Sequence, residues 1–418
     1  MGSRITIRLL CGCFSLVAVL SAAIVLAEDW PQFLGPHRTG ISVEKGLLES
    51  WPKAGPKEVW RVPGGVGMSG MAISRGRLIT LVQKEGKQWT VALDAKSGMT
   101  IWEAEIAPEY ENPMGNGPRG TPAIVGETVL VFTGEGVLAA LGFTDGKVQW
   151  SKNVVEELEG KPAEYGMACS PLVVGKQVIV TAGAPSATVC AFDISSGKLA
   201  WSSGEDSTGY SSPALRKVGG QEQIVVHSGS AVLGLAPASG AVLWRYPYET
   251  EFDCNIATPL AIDGDIFVSS GENHGSVLLK LTPSGKTFEP QPVWESQGVG
   301  SVLRTEWQTA ILLDGYLYGF DNVGSAGPVT HLTCIEAKSG KRMWQQLRFG
   351  KGNLIAADGK LLISTMKGEF VMVRANPKKY DEIGRAEVIG TTRQAPALSG
   401  GLVYLRDDNE IICLDIRK

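Results

Sequence analysis

The sequence predicts an all-β fold: an eight-bladed β-propeller of four-stranded antiparallel blades. Three observations carry this. A phrase ending in tryptophan returns at Trp102, Trp150, Trp201, Trp244, Trp294 and Trp344. A glycine flanked by short runs rich in Val, Ile and Leu returns eight times, at Gly76, Gly126, Gly175, Gly220, Gly264, Gly315, Gly359 and Gly400. The mean spacing of these glycines is about 46 residues, within the range of four-stranded propeller blades. The apolar runs between them are too short for helices, and no amphipathic helical pattern stands out after Ala27.

The elements follow in chain order. Residues 1–27 read as a secretory signal peptide. Arg4 and Arg8 make a basic start, residues 9–26 carry no charge, and Val25-Leu26-Ala27 offers a cleavage site ahead of Glu28 and Asp29. An uncleaved membrane anchor is the alternative, because the apolar run is near the lower length limit for a span. Residues 28–56 form an N-terminal segment expected to pack on the face or side of the propeller. Residues 57–418 are the propeller itself.

Within each unit the pattern is strand, Gly turn, strand, short loop, strand, Ser-Gly or Asp-Gly turn, strand. Glycine supplies the positive φ that a tight hairpin needs. The third strand ends near Asp94 or Asp193, and Ser97-Gly98 or Ser196-Gly197 turns the chain. The tryptophan then opens the outer strand, where its large flat ring suits the widening gap between radial sheets. The last unit has only three strands and no tryptophan. The orphan strand Lys57–Pro63, carrying Trp60, is expected to complete it and close the ring, removing exposed sheet edges. The seventh unit carries "NPKKYDEIGRAEV" where turn and tryptophan belong, so its outer strand is the least defined.

Composition narrows the function. With the signal peptide removed, 37 Lys and Arg face 43 Asp and Glu, a net charge of −6, and there is no basic block. Nucleic-acid binding, which draws on Lys and Arg against phosphates, is therefore not expected. Five cysteines remain: Cys169, Cys190, Cys254, Cys334 and Cys413. Cys334 and Cys413 share the repeat position of Ala92 and read as small buried strand residues. Cys169 and Cys190 fall in one repeat, and pairing between them is open. The histidines His37, His227, His274 and His331 lack metal-ligand spacing. His274 reads as a solvated loop residue, "EELEGK" (156–161) as a solvated loop, and the Gly-rich stretch 64–70 as a flexible connector.

The phrase A-x-D-x-x-S-G-x-x-x-W resembles the repeat of pyrroloquinoline-quinone (PQQ) propellers. That group includes quinoprotein alcohol dehydrogenases and the outer-membrane assembly propeller of Gram-negative bacteria. "DWPQFLGPHRTGIS" (29–42) and "EWQTAILLDGYLYGFDN" (306–322) resemble a bacterial family of PQQ-binding-like β-propeller repeat proteins. The likeness covers nearly the whole chain after residue 27 and implies the fold more than the function, because one propeller hosts many jobs.

The loops leading into the innermost strands bring polar and aromatic residues toward the axis: Arg119, Tyr165, Tyr210, Asp253, Asn255, Arg304, Glu306, Trp307 and Arg393. The binding candidates among them are Arg119, Tyr210, Asn255, Glu306, Trp307 and Arg393. Glu306 and Asn255 would be calcium ligands if Ca²⁺ binds. Arginine suits the carboxylates of an anionic quinone, and Trp307 suits its ring. The resemblance implies PQQ and Ca²⁺ at such a location in quinoprotein dehydrogenases. The competing reading is a wet channel whose polar groups satisfy one another. Three departures weigh against quinone catalysis: no adjacent cysteines after residue 27, no long insertions to cover an active site, and no C-x-x-C-H for a haem.

The expected function is an exported, non-catalytic binding or scaffold propeller without a cofactor. It would have a protein partner at its rim and room for a small ligand in the central channel. It would be periplasmic or secreted, with no membrane span once the signal is cleaved. Two alternatives stand beside it. One is a PQQ- and Ca²⁺-dependent alcohol or sugar dehydrogenase, which requires Glu306, Asn255 and Arg393 to share one roomy pocket. The other is a carbohydrate- or polymer-binding module, which exposed aromatics such as Tyr110, Tyr165 and Tyr210 on one rim would favour.

Overall fold

Eight antiparallel sheets stand around a central axis in the computed structural model, which describes residues 28–52, 54–324 and 329–418 together with Gly2. The expected signal peptide, residues 1–27, lies outside the described residues apart from Gly2. Each sheet is a meander whose first strand lines the axis. Blade 1 comprises Ala72–Ser74, Arg77–Lys84, Lys87–Asp94 and Thr100–Pro108. Blade 8 comprises Ala397–Ser399, Leu402–Arg406 and Glu410–Asp415, with Lys57–Pro63 antiparallel to the last of these. The ring therefore closes through the N-terminal strand, as the unpaired repeat requires.

The middle strands of each blade are apolar on both faces because a neighbouring sheet covers each one. Ile79 and Leu81 of blade 1, for example, form one buried cluster with Val129 and Val131 of blade 2. The outer strands alternate between buried and exposed residues. The hairpin glycines at all eight first turns have positive φ, and beyond several of them a Cβ would meet nothing.

The tryptophan phrase is explained by close approach. The Trp102 ring lies on Gly146 of the next blade's turn, Trp60 on Gly98, Trp150 on Gly197, Trp201 on Gly240 and Trp294 on Gly340. The indole N–H groups of Trp60, Trp102, Trp150, Trp294 and Trp344 each donate to a backbone carbonyl of the following blade, at 2.7–3.1 Å. Trp201 and Trp244 turn instead to Gln177 and Gln223 of their own sheets. Across the strand, six of the seven rings face a small residue, Ala92, Ala140, Ala191, Gly234, Cys334 or Cys413, and Trp294 faces Leu278. Cys334 and Cys413 are thus buried fillers beside a bulky ring. All five cysteines are free, so Cys169 and Cys190 form no disulfide.

Asp94 and Asp193 hold the turns. Each carboxylate accepts from the amide and hydroxyl of the turn serine, Ser97 or Ser196; the Ser97 hydroxyl chiefly holds Asp94 below the usual carboxylate range, and the Ser195 hydroxyl, followed by Ser196, does so for Asp193.

Blade 7 keeps its outer strand, Glu382–Glu387, but without a tryptophan. At the position opposite Met372 stands Gly384, and Trp51 of the N-terminal segment lies on it, 5.2 Å from the Phe370 ring. The missing ring is supplied from outside the repeat.

The N-terminal segment runs across the face that carries the first hairpin turns. The Asp29 carboxylate accepts from Ser74, Glu44 accepts from the Gly400 and Gly401 amides, and Ile41–Ser42 pairs in parallel with the inner strand of blade 7. Arg38 is buried and donates to the carbonyls of Pro213, Ser170 and Pro171. In return Arg216 donates to the Arg38 carbonyl.

Residues 156–161 are solvated as expected, with Glu156, Glu157, Glu159 and Lys161 exposed, although Glu156 and Glu157 end a single helical turn, Val154–Glu157, that buries Val154 and Val155. Two local expectations are corrected. The Gly-rich stretch 64–70 is fixed, not free: Val66 bridges Gln83, Arg406 donates to the Gly65 carbonyl, and Asp408 accepts from the Gly67 amide. His274 is half-buried against Tyr248, 4.3 Å between ring centres. Among the described residues no helix is long and apolar enough to cross a membrane.

Candidate functional site

The loops that carry each chain from an outer strand to the next inner strand all lie on one face. They surround a cavity of about 480 Å³ on the axis. Trp30, Phe33 and Leu34 of the N-terminal segment form its floor, so the channel is closed at one end and open at the other.

Five of the six candidate binding residues line this cavity: Arg119, Tyr210, Glu306, Trp307 and Arg393. Asn255 does not. It is fully buried behind the wall, where its amide nitrogen donates to the carbonyls of Ser228, Gly229 and Tyr248. Its oxygen accepts from the Thr250 and Ser270 hydroxyls. Arg304 is likewise withdrawn, in a buried bidentate pair with Asp321 at 2.7 and 2.9 Å. Asp253 is not on the wall either. Asn255 and Arg304 fix loops, and nothing in their sequence context distinguishes them from wall residues.

Two polar arrangements face the cavity. Glu306 sits 2.9 Å from the Lys351 ammonium and accepts from the Asn322 amide at 2.6 Å. Burial raises the Glu306 carboxyl above its ordinary value, and Lys351 opposes that shift. Trp307 lies beneath two cations, Lys351 at 4.2 Å and Arg393 at 5.7 Å from the ring centre. Across the mouth, Arg119 donates to the Gly117 and Gly115 carbonyls at 2.6 and 2.7 Å and stands over the Tyr110 ring. Arg393 donates to the Met114 carbonyl and reaches the Met68 sulfur.

Tyr165 also lines the wall, stacked on Tyr210 with 5.8 Å between ring centres. Tyr210 is buried beneath it, so Tyr110, Tyr165 and Tyr210 are not the exposed aromatic platform that would favour a carbohydrate module. Lys351, Met68, Met114 and Phe252 are wall residues the sequence did not single out. Lys351, Met68 and Phe252 stand in or beside the loops leading inward, but nothing in their type marks them. Phe252 and Glu272, on neighbouring loops, both adopt left-handed backbone conformations, where non-glycine residues are strained.

A PQQ-type family model, described as outer membrane protein assembly factor BamB, matches residues 86–346. The chain belongs to this family. One curated relative, the outer membrane protein assembly factor BamB of Moranella endobia (strain PCIT), is 24% identical over 264 residues. That match spans 61% of this chain and 64% of the relative's own length. Among solved structures, BamB from Moraxella catarrhalis superposes with a TM-score of 0.61 at 14% identity, covering 86% of this chain and 99% of that one. Quinohemoprotein alcohol dehydrogenase from Comamonas testosteroni gives 0.68 at 12% identity, covering 93% and 80%. At such identities the two structures share the fold with this BamB-family propeller.

The dehydrogenase likeness raises PQQ and Ca²⁺, and the residues can be tested against them. Arg119, Arg393 and Trp307 suit a flat anionic group. The calcium donors do not fit. The Asn255 oxygen is saturated and faces away, and the Glu306 carboxylate already holds an ammonium and an amide. No group of three or more His, Cys, Asp or Glu side chains among the described residues is placed to hold a metal ion.

Proposed function

We propose that this BamB-family propeller is an exported, non-catalytic binding protein that engages a protein partner on the face bearing the cavity mouth. One observation carries the reading. Large apolar side chains are exposed on five of the eight loops of that face: Val66, Met114, Phe252, Val299 and Leu347. Val299 is 79% exposed and Leu347 62%. Grouped exposed apolar side chains mark interaction surfaces. The opposite face carries the chain's own N-terminal segment and exposes Val43 and Met99, and the other exposed large apolar side chains among the described residues lie on outer strands. The BamB relative is named as an outer membrane protein assembly factor, which agrees with a protein partner.

Photo-crosslinking in the cell envelope of the source organism tests this. A photoreactive residue at position 252, 299 or 347 is expected to give a discrete adduct with another polypeptide, and one at Met99, exposed on the covered face, none. Equal adducts at all positions, or none at any, would overturn the reading. Titration with PQQ and Ca²⁺ checks the alternative. Saturable binding near one quinone per chain, with dye-linked alcohol oxidation, would replace the non-catalytic reading.

A further inference from the structure

The cavity carries an unbalanced pair of cations. Glu306 has Lys351 beside it. Arg119 and Arg393 have no such counterion: their hydrogen bonds go to the carbonyls of Gly117, Gly115 and Met114 and to the Met68 sulfur. Among the described residues, no carboxylate makes an ion pair with either. Both guanidiniums are bound to the same short loop, Arg119 through Gly115 and Arg393 through Met114. Burial lowers the Arg119 pKa, Tyr110 opposes that shift and the nearby Arg393 adds to it.

We propose that Arg119 and Arg393 anchor a carboxylate of the protein partner, carried by an acidic side chain with apolar neighbours on a segment that enters the cavity mouth. The proposal rests on the reading that this face binds a protein. Charge complementarity selects the carboxylate, because a guanidinium fork matches its two oxygens. A carboxylate placed there would offset the mutual repulsion of the pair. The walls select the apolar neighbours. Met68 and Met114 flank the two arginines, and Phe252 stands 53% exposed at the mouth. Methionine adapts its shape to different apolar groups. The cavity, at about 480 Å³, has room for more than one side chain. The exposed residues Val66, Val299 and Leu347 extend the apolar surface beyond what a small molecule in the cavity would cover, which favours a chain segment as the source of the acid.

Calorimetry on the protein from residue 28 onward provides the test, using an end-blocked peptide Leu-Asp-Phe-Glu-Leu. Saturable binding is expected, weakened at least about ten-fold for the peptide with Asn and Gln in place of its acids, as loss of a charge-assisted pair implies. Arg393→Gln and Arg119→Gln should each weaken the acidic peptide several-fold and leave the amide peptide unchanged. Arg119→Gln also removes a buried side chain that holds the Gly115 and Gly117 carbonyls, so Arg393→Gln and the amide peptide carry the test alone. Equal binding of acidic and amide peptides, or indifference to Arg393→Gln, would overturn the proposal. So would tight binding of indole-3-acetate with none of the peptide, which would make this a small-carboxylate site. Crosslinks at positions 299 and 347 that persist while the peptide fails to bind would leave the scaffold reading standing and remove only the anchor.

Discussion

His227 ends the second strand of blade 4 and is fully buried, with its ring edge against Tyr248 at 4.9 Å. Neither ring nitrogen has a well-formed hydrogen-bond partner. Burial lowers its pKa from 6.5 to about 3, opposed slightly by the Ala257 backbone and reinforced by His274. The sign follows from linkage. Below pH 6.5 the unfolded chain takes up a proton that the folded chain refuses. The stability associated with neutral His227 is complete above that pH and is lost as pH falls toward 3, at up to about 1.4 kcal/mol per pH unit. Thermal melts from pH 7 to 4 should therefore show a steeper loss for the natural protein than for His227→Phe. Parallel curves would place the acid sensitivity elsewhere. The same scale separates Asn255 from Glu306. Both are polar residues in inward-leading loops, and only their surroundings decide that one fixes a loop and the other faces the cavity.

The blade-to-blade joint is a tryptophan laid on a glycine. Gly146 has φ 70° and its missing Cβ would clash with the Trp102 ring, whereas Gly76 has φ 73° and open space beyond it. Gly146→Ala should cost about 2–4 kcal/mol, combining backbone strain with displacement of a packed ring, and Gly76→Ala only about 1 kcal/mol. Denaturant titration of the two variants checks this, and equal costs would mean that the ring yields freely. The same joint predicts a role for Trp51. Trp51→Ala should destabilise the fold by about 2–4 kcal/mol, as for other large-to-small changes at packed aromatic sites, although Trp51 lies outside the repeats. A melting temperature unchanged by Trp51→Ala would show that blade 7 needs no substitute ring.

For the whole molecule, closure is the decisive feature. Lys57–Pro63 joins the first part of the chain to the last blade, and Trp60 then reaches the Ala95 carbonyl of blade 1. Removing residues 57–63 would leave blade 8 with an unpaired edge and blade 1 without its neighbour's ring. A chain lacking them should lose its cooperative melt or melt at least about 10 °C lower, since several kcal/mol of strand pairing and packing go together. Scanning calorimetry decides between these outcomes and an unchanged melt, which would show a propeller stable as an open ring. Closure also makes the site, because only a complete ring brings blades 2, 4, 6 and 8 to one cavity.

The repeat by itself determined the all-β class, the eight units, the pairing of the last unit with residues 57–63 and the burial of Cys334 and Cys413. These follow from local periodicity: turn glycines, strand-length apolar runs and a tryptophan at fixed offset specify each blade without reference to distant residues. The inward-leading loops also named five of the residues on the cavity wall. Only the tertiary structure decided that Trp51 serves blade 7, that Trp30, Phe33 and Leu34 close the channel floor, and that Asn255 and Arg304 turn away from it. It also decided that Arg119 and Arg393 meet at one loop without an ion-paired carboxylate among the described residues. Those outcomes depend on which side chains converge across hundreds of residues of chain, and on which of them find partners before reaching the axis. Residue type and spacing hold no record of that competition.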